Sequence, residues 1–308
     1  MTDPLETKYA GLKDPGIRAF MVAGERFYPE GAVNFTMAEQ RQFYDLYCTH
    51  FRKPRPAGVE VRDFLVGAIP CRLYQPGHSG TLPVMLYLHG GGFVLGGLES
   101  HDDVCAEISD RAKIAVVGVE YRLAPEHPFP AALDDAWAVL NYLGARHDRI
   151  VIGGDSAGGN LSAAIAIRAR DEGGPEISGQ VLIYPGLGGD LNSGSYVTQA
   201  NAPGLATRDV IYYRDVYRGL GHKLAEPLRE TNFVGLPPAF MVAAGLDPLS
   251  DDCEAYAAKL RGAGVAAVVR HEPLLVHAFL RARHMSGPAR DSFSAIVDAA
   301  RQFAHSPP

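Results

Sequence analysis

The sequence predicts an α/β fold, built on a mostly parallel sheet with helices on both faces. Mostly apolar runs at residues 82–88, 114–119 and 180–184 are typical of strands buried on both faces. Helical patterns separate these runs, and such alternation indicates parallel strands joined by crossover helices. Two glycine-rich segments directly follow strand-like runs, so they are expected at the carboxyl ends of strands, where ligands bind in sheets of this kind.

The composition limits the possible classes of function. The chain has 308 residues, 47% hydrophobic and 21% charged, which is enough for a large core. Its formal net charge is −6 and its basic residues are dispersed, so we expect no nucleic-acid partner and no membrane surface. No apolar run approaches the ~18 residues of a membrane helix.

The N-terminus and the cysteines indicate the compartment. The first residues are polar and acidic, unlike a signal peptide, so we expect a cytoplasmic protein. The cysteines are far apart and lack metal-ligand spacing, so reduced thiols and no metal site are expected. The four are Cys48, Cys71, Cys105 and Cys253.

Eight strands are expected along the chain. The first two, residues 59–66 and 69–74, flank a Gly-Ala turn and are predicted to pair antiparallel. The others are predicted at 82–88, 114–119, 150–152, 180–184, 238–245 and 266–271, with helices at 102–113, 134–143, 254–262 and 288–303.

Two segments stand outside the strand–helix alternation. Residues 1–50 carry two amphipathic helical patterns, and Thr36-x-x-Glu39 predicts a capping box at the start of the second. From residue 185 to about 237 the pattern is irregular, with one short helical piece. Insertions at such a place tend to cover a site, and a plain surface excursion is the alternative.

The most informative motif is Gly154-x-Ser156-x-Gly158. It follows a strand-like run and opens a helical one, as in a nucleophile elbow, where a serine lies on a strained strand-to-helix turn. The flanking glycines suit a turn in which side chains would clash. The N–H of Ala157, at the start of the helix, is then placed to donate to an oxyanion.

A second glycine motif, His89-Gly90-Gly91-Gly92, ends the strand at 82–88. Such a loop supplies oxyanion donors in esterases and lipases with a serine elbow, so we assign this role to the N–H groups of Gly91 and Gly92. His89 precedes the serine in the chain, whereas the base of this enzyme type comes last. We therefore interpret His89 as structural.

An acyl-transfer serine needs a base, and that base needs an acid to orient it. Asp247 directly follows the strand at 238–245 and is favoured over Asp251 and Asp252, which are placed to cap or open the next helix. His277 follows the last strand and is favoured over His271 and His284. The order Ser, Asp, His matches that of α/β-hydrolases.

These residues predict ester hydrolysis without a metal or organic cofactor. Ser156 attacks the ester carbonyl, His277 is the general base, and water hydrolyses the acyl-enzyme. Pocket residues are predicted from their places beside this machinery. They are Phe93 after the oxyanion loop, Asp155 beside the serine, Leu249 after the acid and Phe279 after the base, and packing alone is the alternative role of Phe93, Leu249 and Phe279.

The sequence resembles the bacterial hormone-sensitive lipase-like esterases from about residue 57 onward. The resemblance rests on both glycine motifs, with Gly154-Asp155-Ser156-Ala157-Gly158 typical of one subgroup, and on further motifs. These are Tyr121-Arg122-Leu123-Ala124-Pro125-Glu126, Phe129-Pro130-Ala131-Ala132, Tyr184-Pro185, Asp247-Pro248-Leu249 and His277-x-Phe279.

The resemblance implies an eight-stranded α/β-hydrolase domain, residues 51–308, that acts on short-acyl carboxylic esters. It also implies a helical cap formed by residues 1–50 together with an insertion at about 187–232, and frequent homodimers. One position departs from the family pattern. Ala278 stands where the family usually has glycine after the histidine.

Three other functions fit parts of the same pattern. A lipase would need an extended apolar lid, which is not visible in the sequence. Amide or carbamate hydrolysis uses the same three residues. A small-molecule receptor of the same fold is expected to have lost one of them, whereas Ser156, Asp247 and His277 are all present.

Overall fold

The computed structural model describes residues 3–77 and 82–305 and contains one eight-stranded sheet in the order β1-β2-β4-β3-β5-β6-β7-β8. β1 pairs antiparallel with β2, as predicted, and β2 with β4, while the other neighbours are parallel. The predicted fold class is thereby confirmed. The strands are β1 Val59–Val66, β2 Ile69–Pro76, β3 Val84–Leu88, β4 Ala115–Val119, β5 Ile150–Asp155, β6 Gly179–Ile183, β7 Ala239–Leu246 and β8 Ala267–Val276.

Helices cover both faces of the sheet. One face packs against α5, α6 and α9, and the other against α2, α4 and α10. β3 shows why the central strands are apolar throughout, since Leu86 faces the first layer and Met85 the second, and both are fully buried. The helices are α1 Pro4–Lys8, α2 Pro15–Glu25, α3 Met37–Phe51, α4 Asp102–Ala112, α5 Ala131–Gly144, α6 Ala157–Glu172, α7 Gly194–Thr198, α8 Thr207–Tyr217, α9 Ser250–Gly262 and α10 Gly287–His305.

β8 is longer than the predicted strand at 266–271. It continues to Val276, although Pro273 lies within it. A proline removes a ladder donor, so within sheets it is confined to edge strands, strand starts and bulges. β8 is the last strand of the sheet, where proline is tolerated, and the pairing with β7 shifts register between Ala244 and Leu246. His271 therefore lies within the strand, as predicted, and His277 is the first residue after it.

The first helices are tied to the segment that follows β6. The capping box predicted at Thr36 opens α3, with Thr36 N donating to Glu39 Oε2 at 2.9 Å. Gln40 of α3 donates to the Tyr212 hydroxyl at 2.9 Å, and the hydroxyls of Tyr28 and Tyr213 lie 3.2 Å apart. The two partners in each of these contacts are more than 170 positions apart in sequence, so local patterns could not predict the contacts.

Asp252 joins α9 to the same segment. It lies in the first turn of α9, but its buried Oδ2 accepts hydrogen bonds from Leu187 N at 2.6 Å, the Tyr196 hydroxyl at 3.0 Å and Gly189 N at 3.4 Å. Burial raises the pKa of Asp252 to about 6 despite these donors. The carboxyl thus fastens the segment after β6 rather than merely opening α9.

This raised pKa predicts a pH-dependent stability. The folded state holds the proton more tightly than the unfolded state, whose value is near 3.8, so the free energy of unfolding falls as pH rises through about 6. The amide of Asp252→Asn keeps an oxygen acceptor but does not titrate, so this decrease in the free energy of unfolding should be absent in the variant. Between about pH 4 and pH 7 the variant should gain about 2 kcal/mol on the wild type in urea unfolding. A difference that stays constant over that range contradicts the assignment.

Among residues 3–77 and 82–305, none of the helices combines the length and apolar character needed to cross a membrane.

The four cysteines are buried and unpaired, as their spacing predicted.

Candidate active site

Ser156 lies on the sharp turn between β5 and α6. Its backbone has φ +54° and ψ −118°, a conformation rare for a residue with a side chain, and its N–H donates to Ile183 O at 2.9 Å. A Cβ on Gly154 or on Gly158 would lie 2.1 or 1.9 Å from Leu88 O. Only glycine fits at these two positions, because the end of β3 packs directly against the turn.

A chain of hydrogen bonds connects Ser156, His277 and Asp247. His277 Nε2 lies 2.9 Å from Ser156 Oγ, and His277 Nδ1 lies 2.6 Å from Asp247 Oδ2. Asp247 is fully buried, and its other oxygen accepts from Leu249 N at 2.9 Å. A carboxylate only accepts, so Nδ1 carries the hydrogen and Nε2 presents a lone pair to the serine. A serine so placed has a base within reach and an acid orienting that base.

The other aspartates and histidines that were considered as the acid and the base lie away from Ser156. Asp251 accepts from Ser195 N at 2.8 Å, and Asp252 holds the segment described above. The His271 side chain is 61% exposed on β8, and His284 lies 3.1 Å from Glu107. None of these four side chains has a hydrogen bond to Ser156 or to His277 within the described chain.

The glycine loop after β3 lies beside the serine. Gly91, Gly92 and Phe93 have φ values of +124°, +61° and +66°, so three successive residues are left-handed. A Cβ on Gly92 would lie 2.5 Å from the Tyr213 ring. In the part of the chain that the structure describes, the N–H groups of Gly91, Gly92 and Ala157 have no acceptor. They are available to a ligand oxygen.

His89 is held within the loop rather than near the serine. Its ring stacks on Tyr121 with centroids 4.1 Å apart, and its Nδ1 lies 2.8 Å from Gly90 O. Burial lowers the pKa of His89 to about 3, so the ring is neutral at physiological pH. Its contacts are those of a residue that shapes the glycine loop.

Asp155 connects the serine turn to the glycine loop. This connection was not predicted from the sequence. Its buried Oδ1 accepts from Tyr87 Oη at 2.9 Å and from Gly90 N at 3.0 Å, and lies 3.2 Å from His101 Nε2. Burial alone would raise its pKa, but the neighbouring His101 ring and Arg281 guanidinium hold that pKa well below the ordinary value. Asp155 borders the cavity, as predicted, yet its carboxylate is engaged in this bracing.

Arg281 completes this buried network. Its Nη1 donates to Ser100 O at 2.9 Å and its Nη2 to the Tyr44 hydroxyl at 3.1 Å. The guanidinium therefore links the turn after His277 to α3 of the N-terminal segment. No sequence signal marked it, since its partners come from elements distant in the chain.

Two cavities meet at His277. The inner cavity, about 160 Å³, lies over Ser156 and the three free N–H groups, and Phe93 and Leu249 line it as predicted. The outer cavity, about 460 Å³, is lined by His277 but not by Ser156 or those donors. Besides His277, the residues that line both cavities are Tyr28, Tyr47, Gly204, Leu205, Tyr213 and Ala278.

The prediction that Phe279 lines the pocket is wrong. Phe279 is fully buried and packs edge-on against Tyr184, with ring centroids 5.1 Å apart. Ala278 is the cause, because its left-handed backbone, φ +61°, turns the chain inward at the start of a short 3-10 helix, Phe279–Ala282. The alanine thus keeps the conformation that glycine would favour there, at a cost of about 1 kcal/mol.

The fold and this site define a hydrolase with a serine nucleophile elbow. The profile of the alpha/beta hydrolase fold family matches residues 85–281. Esterase LipI of Mycobacterium tuberculosis is 42% identical over 248 residues, which are 74% of this chain and 78% of LipI. Carboxylic ester hydrolase LipN of the same organism is 35% identical over 310 residues, with coverage of 94% and 82%.

Solved structures agree with these relatives. The Pyrobaculum calidifontis esterase superposes with a TM-score of 0.85 at 31% identity, over 92% of this chain and 98% of that one. The chain therefore belongs to the hormone-sensitive lipase-like esterases of the α/β-hydrolase fold.

Proposed function

We propose that this protein hydrolyses short-acyl carboxylic esters through a Ser156–His277–Asp247 triad and an acyl-enzyme. The observation that carries the proposal is the continuous hydrogen-bond chain from Ser156 Oγ through both ring nitrogens of His277 to Asp247. His277 Nε2 can exchange the proton with Ser156 Oγ and with the leaving oxygen, while Asp247 orients the ring and stabilises the imidazolium.

Acylation begins when Ser156 Oγ attacks the ester carbonyl and gives its proton to His277 Nε2. The imidazolium that forms is stabilised by the buried carboxylate of Asp247. The tetrahedral oxyanion then accepts hydrogen bonds from the N–H groups of Gly91, Gly92 and Ala157. Removing one such donor typically costs ~3 kcal/mol of transition-state stabilisation.

Collapse of this intermediate expels the alcohol, which takes the proton from His277 Nε2. Water then enters, His277 removes its proton, and hydroxide attacks the acyl carbon. The second tetrahedral intermediate uses the same three donors and releases the carboxylic acid. No step needs a metal ion or an organic cofactor, because the side chains above supply every proton transfer.

The inner cavity supports a short acyl group. It is small, about 160 Å³, and is closed on one side by the Phe93 ring stacked on Tyr217 at 3.7 Å. We further propose that residues 1–50 and an insertion at about 187–232 form a cap on the catalytic domain, residues 51–308. Contacts such as Gln40 Nε2 to the Tyr212 hydroxyl join these two cap segments.

The chain-length dependence of hydrolysis tests the proposal. We expect kcat/KM on p-nitrophenyl esters to peak at acetate to butyrate and to fall at least roughly tenfold by octanoate, because longer chains exceed the inner cavity. A maximum at decanoate or longer indicates a lipase-like site, and turnover of anilides at rates similar to those of esters indicates an amidase. A folded protein with no turnover of any ester contradicts the proposal. The expected cytoplasmic location and homodimer remain predictions.

A further inference from the structure

The two cavities differ in chemistry as well as in size. The outer cavity has about three times the volume of the inner one. It is bordered by a charged cluster in which Glu30 pairs with Lys8 at 2.7 Å and with Arg208 at 3.0 Å, and these side chains remain 58%, 37% and 55% exposed. At the inner cavity, by contrast, Glu226 is buried and paired with Arg214, and Asp155 is engaged with His101.

We propose that the natural substrate joins a small acyl group to a larger alcohol that carries hydrogen-bonding groups, and that this alcohol binds in the outer cavity. The inference rests on the proposed ester hydrolysis and names the substrate class for it. The acyl part is assigned to the inner cavity.

The positions of the reacting groups assign the two halves of the ester. The acyl carbon must lie at Ser156 Oγ with its oxygen toward Gly91, Gly92 and Ala157, all of which line the inner cavity. The leaving oxygen must lie at His277 Nε2, since that nitrogen protonates it. His277 and Ala278 line both cavities, whereas Ser156 and the three donors line only the inner one, so the outer cavity meets the reacting groups on the side of His277. The leaving alcohol therefore extends into the outer cavity.

The chemical step is balanced on these assignments. The bond from Ser156 Oγ to the acyl carbon forms first, and the bond from that carbon to the alcohol oxygen breaks when the tetrahedral intermediate collapses. The electron pair stays on the alcohol oxygen, which receives the proton that His277 took from Ser156. The alcohol then departs from the outer cavity, while the acyl group remains in the inner cavity for hydrolysis.

Isomeric esters of opposite orientation test the assignment. Benzyl acetate places its ring on the alcohol, and methyl phenylacetate places it on the acyl group. After normalisation to the rate of hydroxide-catalysed hydrolysis, we expect kcat/KM to favour benzyl acetate by at least roughly tenfold. We also expect 4-carbamoylbenzyl acetate to react faster than 4-isopropylbenzyl acetate, which has the same shape but no hydrogen-bonding group. A preference for methyl phenylacetate, or equal rates within each pair, overturns the inference.

Two matched variants test which cavity binds the alcohol and which binds the acyl group. Ala202 lines only the outer cavity and Leu220 only the inner one, and neither is fully buried, so Trp fits at each without disturbing the core. Ala202→Trp should lower kcat/KM for benzyl acetate while the hydrolysis rate of the isolated acetyl-enzyme stays at the wild-type value, because the alcohol has already left. Leu220→Trp should instead slow hexanoate esters with any alcohol.

The outcomes separate the inference from the proposed function. If Ala202→Trp slows acetyl-enzyme hydrolysis as much as acylation, or if the two variants exchange their effects, the cavity assignment is wrong although the protein remains an esterase. If wild-type protein hydrolyses none of these esters, the proposed function itself fails.

Discussion

Ser156→Ala is expected to lower kcat on p-nitrophenyl butyrate by roughly 10⁵-fold or more, because in the part of the chain that the structure describes no other hydroxyl has a hydrogen bond to His277. The substitution removes one oxygen and keeps the Cβ, and among the described residues the only side-chain hydrogen bond lost is the one to His277 Nε2. The variant should therefore fold and keep the melting temperature of the wild type within a few degrees. The measurement is steady-state hydrolysis together with thermal unfolding.

Ser162→Ala is the matched control. Ser162 is also buried at the N-terminal half of α6, but its hydroxyl donates to Gly158 O at 2.8 Å and points away from the triad. Its replacement should leave kcat within a few-fold of the wild type. Turnover that survives Ser156→Ala at more than about a tenth of the wild-type kcat would identify another nucleophile.

Asp247→Asn should lower kcat by about 10⁴-fold at neutral pH while the fold is retained. Asp247 Oδ1 accepts from Leu249 N, so the amide nitrogen of the variant faces His277 Nδ1. A donor there forces Nδ1 to accept, and the hydrogen moves to Nε2. In that tautomer the ring cannot take the proton of Ser156.

The pH dependence and a second aspartate make this test specific. Activity of Asp247→Asn should recover partly at high pH, where hydroxide can deprotonate the serine directly. Asp252→Asn is the control, because it makes the same change at a buried aspartate of the same region that does not touch His277. Equal losses in the two variants would show a general effect on folding rather than on the tautomer.

The serine turn and the fold were predictable from sequence because their causes are local. A side chain at Gly154 or Gly158 would clash with Leu88 O, at the end of the neighbouring strand β3. The buried runs of β3 to β6 reflect packing on both faces of the sheet. Asp247 and His277 could be selected because a parallel sheet brings the residues that follow its strands to one edge.

The rest depends on contacts that leave no local pattern. Asp155 is fixed by Tyr87, His101 and, through charge, by Arg281, from three separate elements. Phe279 was misplaced because the direction of the chain after His277 is set by the left-handed conformation of Ala278, which a sequence does not display. The cavities likewise arise where α8 meets the N-terminal helices.

The most direct measurement of the central claim is the mass of the intact protein after rapid mixing with p-nitrophenyl acetate and an acid quench. The account predicts a transient gain of one acetyl group, located by peptide mapping on the segment that contains Ser156 and absent in Ser156→Ala. Hydrolysis without any acylated protein, or an acetyl group on a different residue, would contradict it.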